Sequence, residues 1–499
     1  MAATQVRIDP AVKAGEFKPF WKKVFGIGSA FLLTRKDLID QVEMAQDVIG
    51  FEYLRFHGTL SDDVGLVQFA DRGDKEIDPE CLNFINVDAI YDTLLDLGIK
   101  PFVELGFMPK YLASGDTQVF KYPSNVTPPH SYELWESLVS QLVLHWKERY
   151  GIDELLDWYF EIWNEPNLKN FWTGTQAEYF KLYDHAVKAV KAIDPRLKVG
   201  GPASSDGNWI TPFLEFCHDN GIPVDFVSTH VYQSDQGFQG KKFVSGNYVR
   251  DVVDRVRGEI ARSHFPGIEL HFTEWGSTSN PFDPFHDTSG QAAFICKAIG
   301  SVNGLVDSFS YWTVSDVFEE MGLPDKAFHG GFGLITINGI RKPSFTAFYF
   351  LKQLGPEICK VEEEGARLPP GVGLLATRAG NELRLLAWYF VEPRATVPQP
   401  LDLAIRIDKK GSFTGKDLDF TIWETSKARA NAFEAWKAMG SPRNPTIEQI
   451  EDLRQVAEID EEETEHGEAL QDDVQFTMQL HLEPESVKLV KVFDVTKSR

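Results

Sequence analysis

The chain has 499 residues, which is more than a single hydrophobic core usually serves, so one large domain and a smaller one are expected. Hydrophobic residues make up 43% of the chain and charged residues 25%, as is usual for globular proteins. The formal net charge of −24 disfavours binding to nucleic acid or to an anionic membrane, because both would repel it, and a neutral small molecule fits best as substrate.

The cysteines and the apolar segments bear on the compartment. Cys81, Cys217, Cys296 and Cys359 are far apart and form no CxxC pair, so buried reduced thiols are expected and a disulfide framework is not. The first 23 residues have no apolar core of the kind that a signal peptide needs. No apolar stretch approaches the roughly 18 residues that a membrane span requires. The expected compartment is the cytoplasm.

Between residues 24 and 350, short apolar runs alternate with amphipathic segments. Segment 131–150 begins with Ser131, a suitable N-cap, and continues with apolar residues at helical spacing. Eight strands, each followed by a helix, predict a (β/α)₈ TIM barrel over residues 24–354. A doubly wound sheet is the alternative, but no glycine-rich dinucleotide loop follows the first strand. The eight runs are 24–30, 51–58, 101–109, 155–166, 197–204, 225–232, 268–275 and 307–316.

The sequence changes character after residue 355. Segments 371–390, 400–408 and 474–493 have the pattern of strands joined by turns, without helices between them. This pattern predicts an antiparallel β-sandwich over residues 355–499 as an accessory domain. Within it, residues near 426–465 are predicted to form a helical insertion with a solvated acidic run. The N-terminal segment, residues 1–23, could contribute to the same β domain.

Polar and aromatic residues at the predicted strand ends are the candidates for an active site. In barrels of this type the active site lies at the carboxyl ends of the strands, where the connecting loops converge. Residues two apart on a strand, such as those at 55 and 57, should face the same way. The strand-end candidates are Arg55, His57, Asn164, Glu165, His230, Tyr232, Glu274 and Trp312, with Glu319 and Glu320 in the loop after the last strand.

Glu165 and Glu274 are the pair that suits the cleavage of a glycosidic bond. One carboxyl group must protonate the leaving oxygen while an ionised one supports or bonds to the anomeric carbon. The two environments must therefore move their pKa values apart. The predicted fourth and seventh strands lie on roughly opposite sides of the barrel mouth. The two glutamates are expected to flank one bond at about 5–5.5 Å, the separation of a retaining enzyme.

Each candidate also has a purely structural interpretation. A lone glutamate at a strand end is usually solvated or part of an ion pair. Arg55 could simply orient a neighbouring barrel carboxylate, and His57 and His230 could be satisfied core histidines. Glu104 could point into the barrel and pair with a cation, so it is assigned no role. Two glutamates ending separate, aromatic-rich strands nevertheless favour catalysis. No cluster has metal-ligand spacing, so neither a metal nor a cofactor is predicted.

A series of ordered segments resembles glycoside hydrolase family 39, in its bacterial β-xylosidase branch. The segment YFEIWNEPNLKNFW at 159–172 is similar to the acid/base motif of retaining barrel hydrolases. The resemblance runs from about residue 24 to the end of the chain. The other segments are 54–65, 101–115, 124–135, 198–203, 224–232, 271–281, 286–295, 307–320 and 329–345, the last of which reads HGGFGLITINGIRKPSF.

The resemblance implies a retaining, exo-acting β-D-xylosidase that releases xylose from the non-reducing ends of xylo-oligosaccharides through a covalent glycosyl-enzyme. It implies that Glu165 is the acid/base, that Glu274 is the nucleophile and that Asn164 hydrogen-bonds the sugar 2-hydroxyl. The remaining pocket residues would be Arg55, His57, Phe120, His230, Tyr232, Trp312 and one of Glu319 and Glu320.

Three alternatives stay open. The first is another specificity of the same family, α-L-iduronidase or α-L-arabinofuranosidase. An iduronidase needs cations for a uronate carboxylate, whereas the candidate pocket supplies Glu319 or Glu320. A non-catalytic carbohydrate-binding barrel is disfavoured by the presence of both glutamates, and a dehydrogenase by the missing phosphate loop. We expect a monomer slightly more than an oligomer.

Overall fold

The computed structural model describes residues 4–67, 77–237, 246–392, 396–409, 413, 418–459 and 469–494. Strand β1 (Thr4–Glu16) belongs to an accessory sheet, and the next eight strands close into a barrel of parallel neighbours. The last of them pairs with the first to complete the ring. The predicted TIM barrel is confirmed. Its strands are β2 (Val24–Ser29), β3 (Tyr53–His57), β4 (Lys100–Leu105), β5 (Tyr159–Ile162), β6 (Lys198–Ser204), β7 (Phe226–Tyr232), β8 (Glu269–Gly276) and β9 (Ser308–Tyr311).

Helices connect the barrel strands and bury one face against them. The Ser131 side chain accepts a hydrogen bond from the Leu134 N–H, which confirms the predicted N-cap. Thr175 and Glu178 form a capping box at the start of a later helix. The helices are α1 (Lys36–Ile49), α2 (Ile85–Asp96), α3 (Tyr132–Tyr150), α4 (Ile152–Leu155), α5 (Gln176–Ile193), α6 (Ile210–Asn220), α7 (Tyr248–Arg262), α8 (Ser289–Val302) and α9 (Pro343–Gln353).

An aromatic layer fills the barrel interior near the amino ends of its strands. Val24, Tyr53, Phe102, Tyr159 and Phe226 form one buried cluster. The rings of Phe102 and Tyr159 stack with their centroids 4.9 Å apart. Layers of large side chains are the usual filling of such a barrel. The layer is a hydrophobic floor, above which the strands carry charged residues towards their carboxyl ends.

The accessory domain is a nine-stranded sheet in the order β14–β17–β12–β11–β10–β1–β13–β16–β15. Its strand pairs are antiparallel except that β1 pairs in parallel with β13. The predicted antiparallel β domain is confirmed, and β1 lies in the middle of its sheet. Its other strands are β10 (Glu357–Gly365), β11 (Val372–Ala379), β12 (Glu382–Tyr389), β13 (Leu401–Asp408), β14 (Leu418–Thr425), β15 (Ala469–Gln471), β16 (Gln475–Leu482) and β17 (Ser486–Asp494).

The accessory sheet folds over on itself. Phe420 of β14 and Phe476 of β16 lie near opposite ends of the strand order, yet their ring centroids are 5.9 Å apart. Two helices, α10 (Ala432–Ala438) and α11 (Ile447–Ala457), lie between β14 and β15 in the chain and pack with the loop that follows β9. The two halves of the sheet thus enclose a hydrophobic core, as in a sandwich. The exact domain boundaries at residues 24 and 355 stay a prediction.

The four cysteines are free thiols, of which three are buried and Cys81 is partly exposed. Burial raises the pKa of the Cys217 thiol to about 12, so this group stays protonated at neutral pH. Among the described residues, no helix has both the length and the apolar character that crossing a membrane requires.

Strand β1 offers a matched test of the accessory core. The Ile8 side chain is fully buried, whereas the Val12 side chain on the same strand is 42% exposed. Because Ile8→Ala removes buried methyl groups, it should lower the free energy of unfolding by about 2–5 kcal/mol. Val12→Ala should change it by less than about 0.5 kcal/mol. Urea denaturation measures both variants, and equal effects would contradict this placement of β1.

Candidate active site

The strand-end candidates converge on a cavity of about 580 Å³ at the carboxyl-terminal mouth of the barrel. The sequence predicted eight of its lining residues and missed the others. The predicted ones are His57, Phe120, Asn164, Glu165, Tyr232, Glu274, Trp312 and Glu320. The missed ones are Asn167, Leu168, Asn170, Phe171, Ser205, Asp206, Asn208, Asp235, Ser279, Pro281, Met321 and Phe332.

Glu165 and Glu274 face each other across this cavity. A carboxylate oxygen of one lies within 4.8 Å of a carboxylate oxygen of the other. His230 lies between them, with its Nδ1 atom 3.0 Å from Glu165 Oε1 and 3.6 Å from Glu274 Oε2. Retaining glycosidases place their carboxyl groups about 5–5.5 Å apart, whereas inverting enzymes need about 6.5–9.5 Å to admit a water molecule. The geometry therefore favours the retaining arrangement.

Arg55 connects the groups beneath the cavity. Its Nε atom donates to Glu161 Oε2 at 2.6 Å and its Nη1 atom to Glu274 Oε1 at 2.8 Å. Its Nη2 atom lies 2.8 Å from Glu104 Oε2 and donates to Asn164 Oδ1 at 3.0 Å. Burial alone would lower the pKa of Arg55, but the three carboxylates raise it, so the guanidinium stays charged.

Three candidates lie outside the lining of the cavity. Arg55 and His230 are completely buried, because their side chains point into the barrel interior below the mouth. Glu319 turns away and its Oε1 atom pairs with Arg35 Nη1 at 3.2 Å. Of the two adjacent glutamates, Glu320 lines the cavity. Arg55, His230 and Glu319 are thus not among the residues that line the cavity, and their contact with the sugar stays a prediction.

Both oxygens of Glu274 accept hydrogen bonds. Arg55 Nη1 donates to Oε1, and the Tyr232 hydroxyl donates to Oε2 at 3.0 Å. Burial, followed by the charge of Glu274, raises the pKa of Tyr232 well above its usual value, so the hydroxyl keeps its proton as a donor. Two donors, one of them cationic, therefore hold the Glu274 carboxyl group in a fixed orientation.

Glu165 lies in a different environment. Burial raises its pKa to about 7, and the opposing effects of His57, a hydrogen bond from Ser205 and the charge of Arg55 do not cancel that rise. Burial lowers the pKa of His230 to about 4, so the imidazole beside Glu165 is neutral. A neutral ring nitrogen can accept from the protonated acid or donate to the carboxylate, according to its tautomer. Glu165 can thus change protonation state near neutral pH.

His57 and Glu320 supply hydrogen-bonding groups on the wall beside Glu274, since His57 Nε2 is 3.6 Å from Glu274 Oε1. The Nδ1 atom of His57 lies 2.6 Å from Glu104 Oε2, and its Nε2 atom lies 3.5 Å from Glu320 Oε1. Burial lowers the pKa of His57 to about 4, so the ring is neutral. Burial, together with the charges of Glu274 and Glu165, raises the pKa of Glu320 well above its usual value. This wall therefore offers uncharged donors and acceptors, which suit hydroxyl groups.

Glu161 was not found from the sequence, although it anchors Arg55. It is a fully buried carboxylate on β5. Burial would raise its pKa, but the charge of Arg55 outweighs that effect and holds the pKa below its usual range. Thr273 also donates a hydrogen bond to its Oε1 atom at 2.8 Å. The available signal was a charged residue inside an apolar strand, four positions before Glu165.

Among the described residues, one group of three side chains has donor atoms close enough together to hold a metal ion: Glu165, His230 and Glu274. These atoms are already hydrogen-bonded to one another or to Arg55 and Tyr232. The arrangement therefore has the chemistry of an acid–base pair, with a proton donor on one side and a fixed carboxylate on the other.

Removing Arg55 tests the buried charge network. Arg55→Leu leaves the Glu161 carboxylate, whose pKa Arg55 lowers, without a counter-charge in the interior, so it should lower the free energy of unfolding by about 3–5 kcal/mol. The matched control is Arg149→Leu, because the Arg149 side chain is 39% exposed and pairs with Asp92 on the surface. The control should change the free energy of unfolding by about 0–1 kcal/mol. In urea denaturation, an Arg55→Leu variant as stable as the parent would contradict the network.

Comparisons with known proteins identify relatives of this chain in sequence and in overall fold. The model of the family described as Glycosyl hydrolases family 39 matches residues 4–471. A β-xylosidase of Geobacillus stearothermophilus is 40% identical over 453 residues, which cover 88% of this chain and 86% of that protein. One of Caldicellulosiruptor saccharolyticus is 38% identical over 497 residues, 98% of each chain. A solved monomeric β-xylosidase from Caulobacter crescentus has a TM-score of 0.87 at 33% identity, covering 99% of this chain and all of the other.

Proposed function

The chain belongs to glycosyl hydrolases family 39, and from that premise we propose that it is a retaining β-xylosidase that releases xylose from the non-reducing ends of xylo-oligosaccharides. The observation that carries the proposal is the pair of buried carboxyl groups, Glu165 and Glu274, within 4.8 Å across one cavity. Two relatives described as β-xylosidases, matched over most of their length, support the choice of sugar. The predicted family and enzyme class are confirmed by the family match.

In the first step Glu274 is the nucleophile. Its carboxylate, held by Arg55 and Tyr232, bonds to the anomeric carbon while the bond from that carbon to the leaving oxygen breaks. The proton of Glu165 passes to the leaving oxygen. Because the pKa of Glu165 is raised to about 7, this proton is present at and below neutral pH. The products are the shortened oligosaccharide and a xylosyl ester of Glu274.

In the second step Glu165 acts as the base. Its carboxylate accepts a proton from a water molecule that has replaced the leaving group, and the water oxygen bonds to the anomeric carbon. The ester bond to Glu274 breaks and its carboxylate is restored between Arg55 and Tyr232. Two inversions at the same carbon give overall retention. Glu165 ends the cycle protonated, as it began.

The walls of the cavity suit a neutral sugar ring. Trp312, Phe120 and Phe332 supply flat apolar faces. The Oδ1 atom of Asn164 accepts a hydrogen bond from Arg55. The NH₂ group of Asn164 is therefore the part of this amide that can donate to the 2-hydroxyl of the sugar. Xylose needs no more than such hydroxyl partners and apolar faces. We therefore assign the terminal xylosyl unit to this part of the cavity.

The lining of the cavity disfavours the iduronidase alternative. Among the described residues that line it, none is lysine or arginine. A uronate carboxylate would find no cation in this lining to pair with it. Both glutamates face the cavity, which disfavours a non-catalytic barrel. An arabinofuranoside is neutral, so the choice between it and a xyloside rests on the relatives and on a panel of aryl glycosides.

Two further properties stay predictions. A monomer is supported by the description of the Caulobacter crescentus relative as monomeric. The cytoplasmic location is a prediction from the sequence.

Substitutions of the two glutamates should have different signatures. Glu274→Gln should lower kcat by about 10⁴-fold on every xyloside, because no covalent intermediate forms. Glu165→Ala should lower kcat/KM on xylobiose by about 10²–10⁴-fold. It should largely spare kcat/KM for dinitrophenyl β-xyloside, whose leaving group needs no proton. Steady-state kinetics measures both, with Glu52→Gln, an exposed position at the far end of β3, as control.

Two observations complete that experiment. Azide should raise kcat of Glu165→Ala on the dinitrophenyl substrate and give β-xylosyl azide, because a small anion needs no base. In proton NMR of the parent enzyme, β-xylose should be the first anomer released. Initial release of α-xylose would contradict retention, and unchanged rates on xylobiose in both variants would contradict the assignment of both residues.

The pH dependence of kcat/KM tests the role of Glu165 as the general acid. Glu165 is protonated below a pKa of about 7, so kcat/KM on xylobiose should fall as the pH rises through about 7. In Glu165→Ala, kcat/KM for dinitrophenyl β-xyloside should lack this alkaline limb. If kcat/KM of the variant still fell as the pH rises through about 7, a group other than Glu165 would cause the alkaline limb.

A further inference from the structure

Three buried charged side chains lie behind the wall of the cavity: Lys342, Asp287 and Asp316. The Lys342 Nζ atom is 2.7 Å from Asp287 Oδ1 and 2.6 Å from Asp316 Oδ2, and all three side chains are shielded from solvent. Asp287 precedes α8 in the connection after the nucleophile strand β8, and Asp316 follows β9. The cluster therefore ties together two loops of the active-site face, and the mechanism above does not use it.

The cluster fixes the backbone of one turn, residues 329–333, with the sequence HGGFG. The Gly330 N–H donates to Asp287 Oδ2 at 2.8 Å, and the Gly333 N–H donates to Asp316 Oδ1 at 2.7 Å. Lys342 Nζ donates to the Gly331 carbonyl at 3.0 Å. Each aspartate thus uses one oxygen for the lysine and the other for the turn. The three charged side chains therefore bind three backbone groups within this five-residue turn.

The glycines of the turn are required by this close approach. A Cβ atom on Gly333 would lie 2.2 Å from the Asp316 backbone nitrogen, and one on Gly331 would lie 2.3 Å from Asp316 Oδ1. Gly330 has φ of +81°, in the region that favours glycine. The turn therefore packs directly on the charged cluster. Two of its five residues carry side chains, and the one at His329 lies on the side of the cluster, since its Nε2 atom would be 2.6 Å from the same Cβ atom on Gly331.

The other side chain of the turn is that of Phe332, which lines the cavity. Its ring centroid is 5.5 Å from that of Phe318 and 6.5 Å from that of Tyr232, and it shares a buried aromatic cluster with Trp312. Tyr232 is the donor to Glu274 Oε2. A shift of Phe332 would therefore change both the wall against the sugar and the packing of a residue that holds the nucleophile.

Buried charges are an expensive means of stabilising a loop. Apolar side chains of similar volume often stabilise a fold as well or better, because ions lose their hydration on burial. What the charged groups add is direction, since each carboxylate accepts a hydrogen bond from one backbone N–H of the turn while its other oxygen pairs with the lysine. The cluster is thus better suited to holding a turn in one place than to adding stability.

We propose that Lys342, Asp287 and Asp316 are positioning residues of the β-xylosidase: they hold the turn 329–333 and thereby set Phe332 against the sugar and against Tyr232. The inference rests on the proposed function for its kinetic consequences. Its structural part, the dependence of the Phe332 position on the charged cluster, does not.

The test is a double-mutant cycle between the cluster and the wall. Asp316→Asn removes one charge at nearly constant volume, and a misplaced wall should lower kcat/KM on an aryl β-xyloside about tenfold. Phe332→Ala should lower it at least as much. Because the cluster acts through Phe332, the double variant should match Phe332→Ala alone within about twofold. A merely structural role of Asp316 would instead give additive losses, which would overturn the proposal.

The matched control is another buried ion pair, far from the cavity. Lys488 Nζ lies 2.9 Å from Glu424 Oε2 in the accessory sheet, and both side chains are largely buried. Glu424→Gln should lower Tm as Asp316→Asn does, yet leave kcat/KM unchanged in the parent and in Phe332→Ala. If Asp316→Asn also left kcat/KM unchanged, the positioning role would be wrong.

A crystal structure of Asp316→Asn separates the two proposals. It should show the 329–333 turn and the Phe332 ring displaced from their positions against Tyr232. An undisplaced ring would overturn the positioning role whatever the substrate. If the parent enzyme cleaved no β-xyloside but the ring moved in the variant, the proposed function would fail while the positioning of Phe332 by the cluster would stand.

Discussion

One buried guanidinium holds the candidate active site together. Arg55 on β3 contacts Glu104 on β4, Glu161 on β5 and Glu274 on β8. It also donates to Asn164, which follows β5. These four contacts connect four of the eight barrel strands. An unpaired charge in the barrel interior would be strongly unfavourable, and so would unpaired carboxylates around it. The orientation of the nucleophile is therefore fixed by the same interactions that allow charged groups inside the barrel at all.

Burial also divides the carboxyl groups into two kinds. One cation cannot neutralise all five carboxyl groups around it. Glu161 stays ionised because Arg55 outweighs its burial, whereas burial raises the pKa of Glu104 to about 8 and of Glu165 to about 7. Burial and the charges of Glu274 and Glu165 also raise the pKa of Glu320. The same low-polarity interior thus yields a proton donor, a fixed carboxylate and neutral hydrogen-bonding partners.

The aromatic groups make that interior possible. The layer around Phe102 closes the barrel below the charges, and the cluster of Tyr232, Trp312, Phe318 and Phe332 surrounds the mouth. Between these layers the charged side chains are shielded from solvent, so each charge interacts strongly with its neighbours. The turn at 329–333 belongs to this enclosure, and the charges of Lys342 and its aspartates fix it from behind. Two separate buried ionic clusters, one below and one beside the cavity, thus define the site.

The barrel, the accessory β domain and the two candidate glutamates could be predicted from the sequence, because strand and helix periodicity and the motif around Glu165 are local patterns. The folded structure was needed to show that Arg55 lies beneath the cavity, that Glu320 and not Glu319 lines it, and that Phe332 forms a wall. These outcomes depend on contacts between distant positions, such as Arg55 with Glu274, 219 residues apart. Burial and pairing exist only once the chain has closed into a barrel, so no local pattern could carry them.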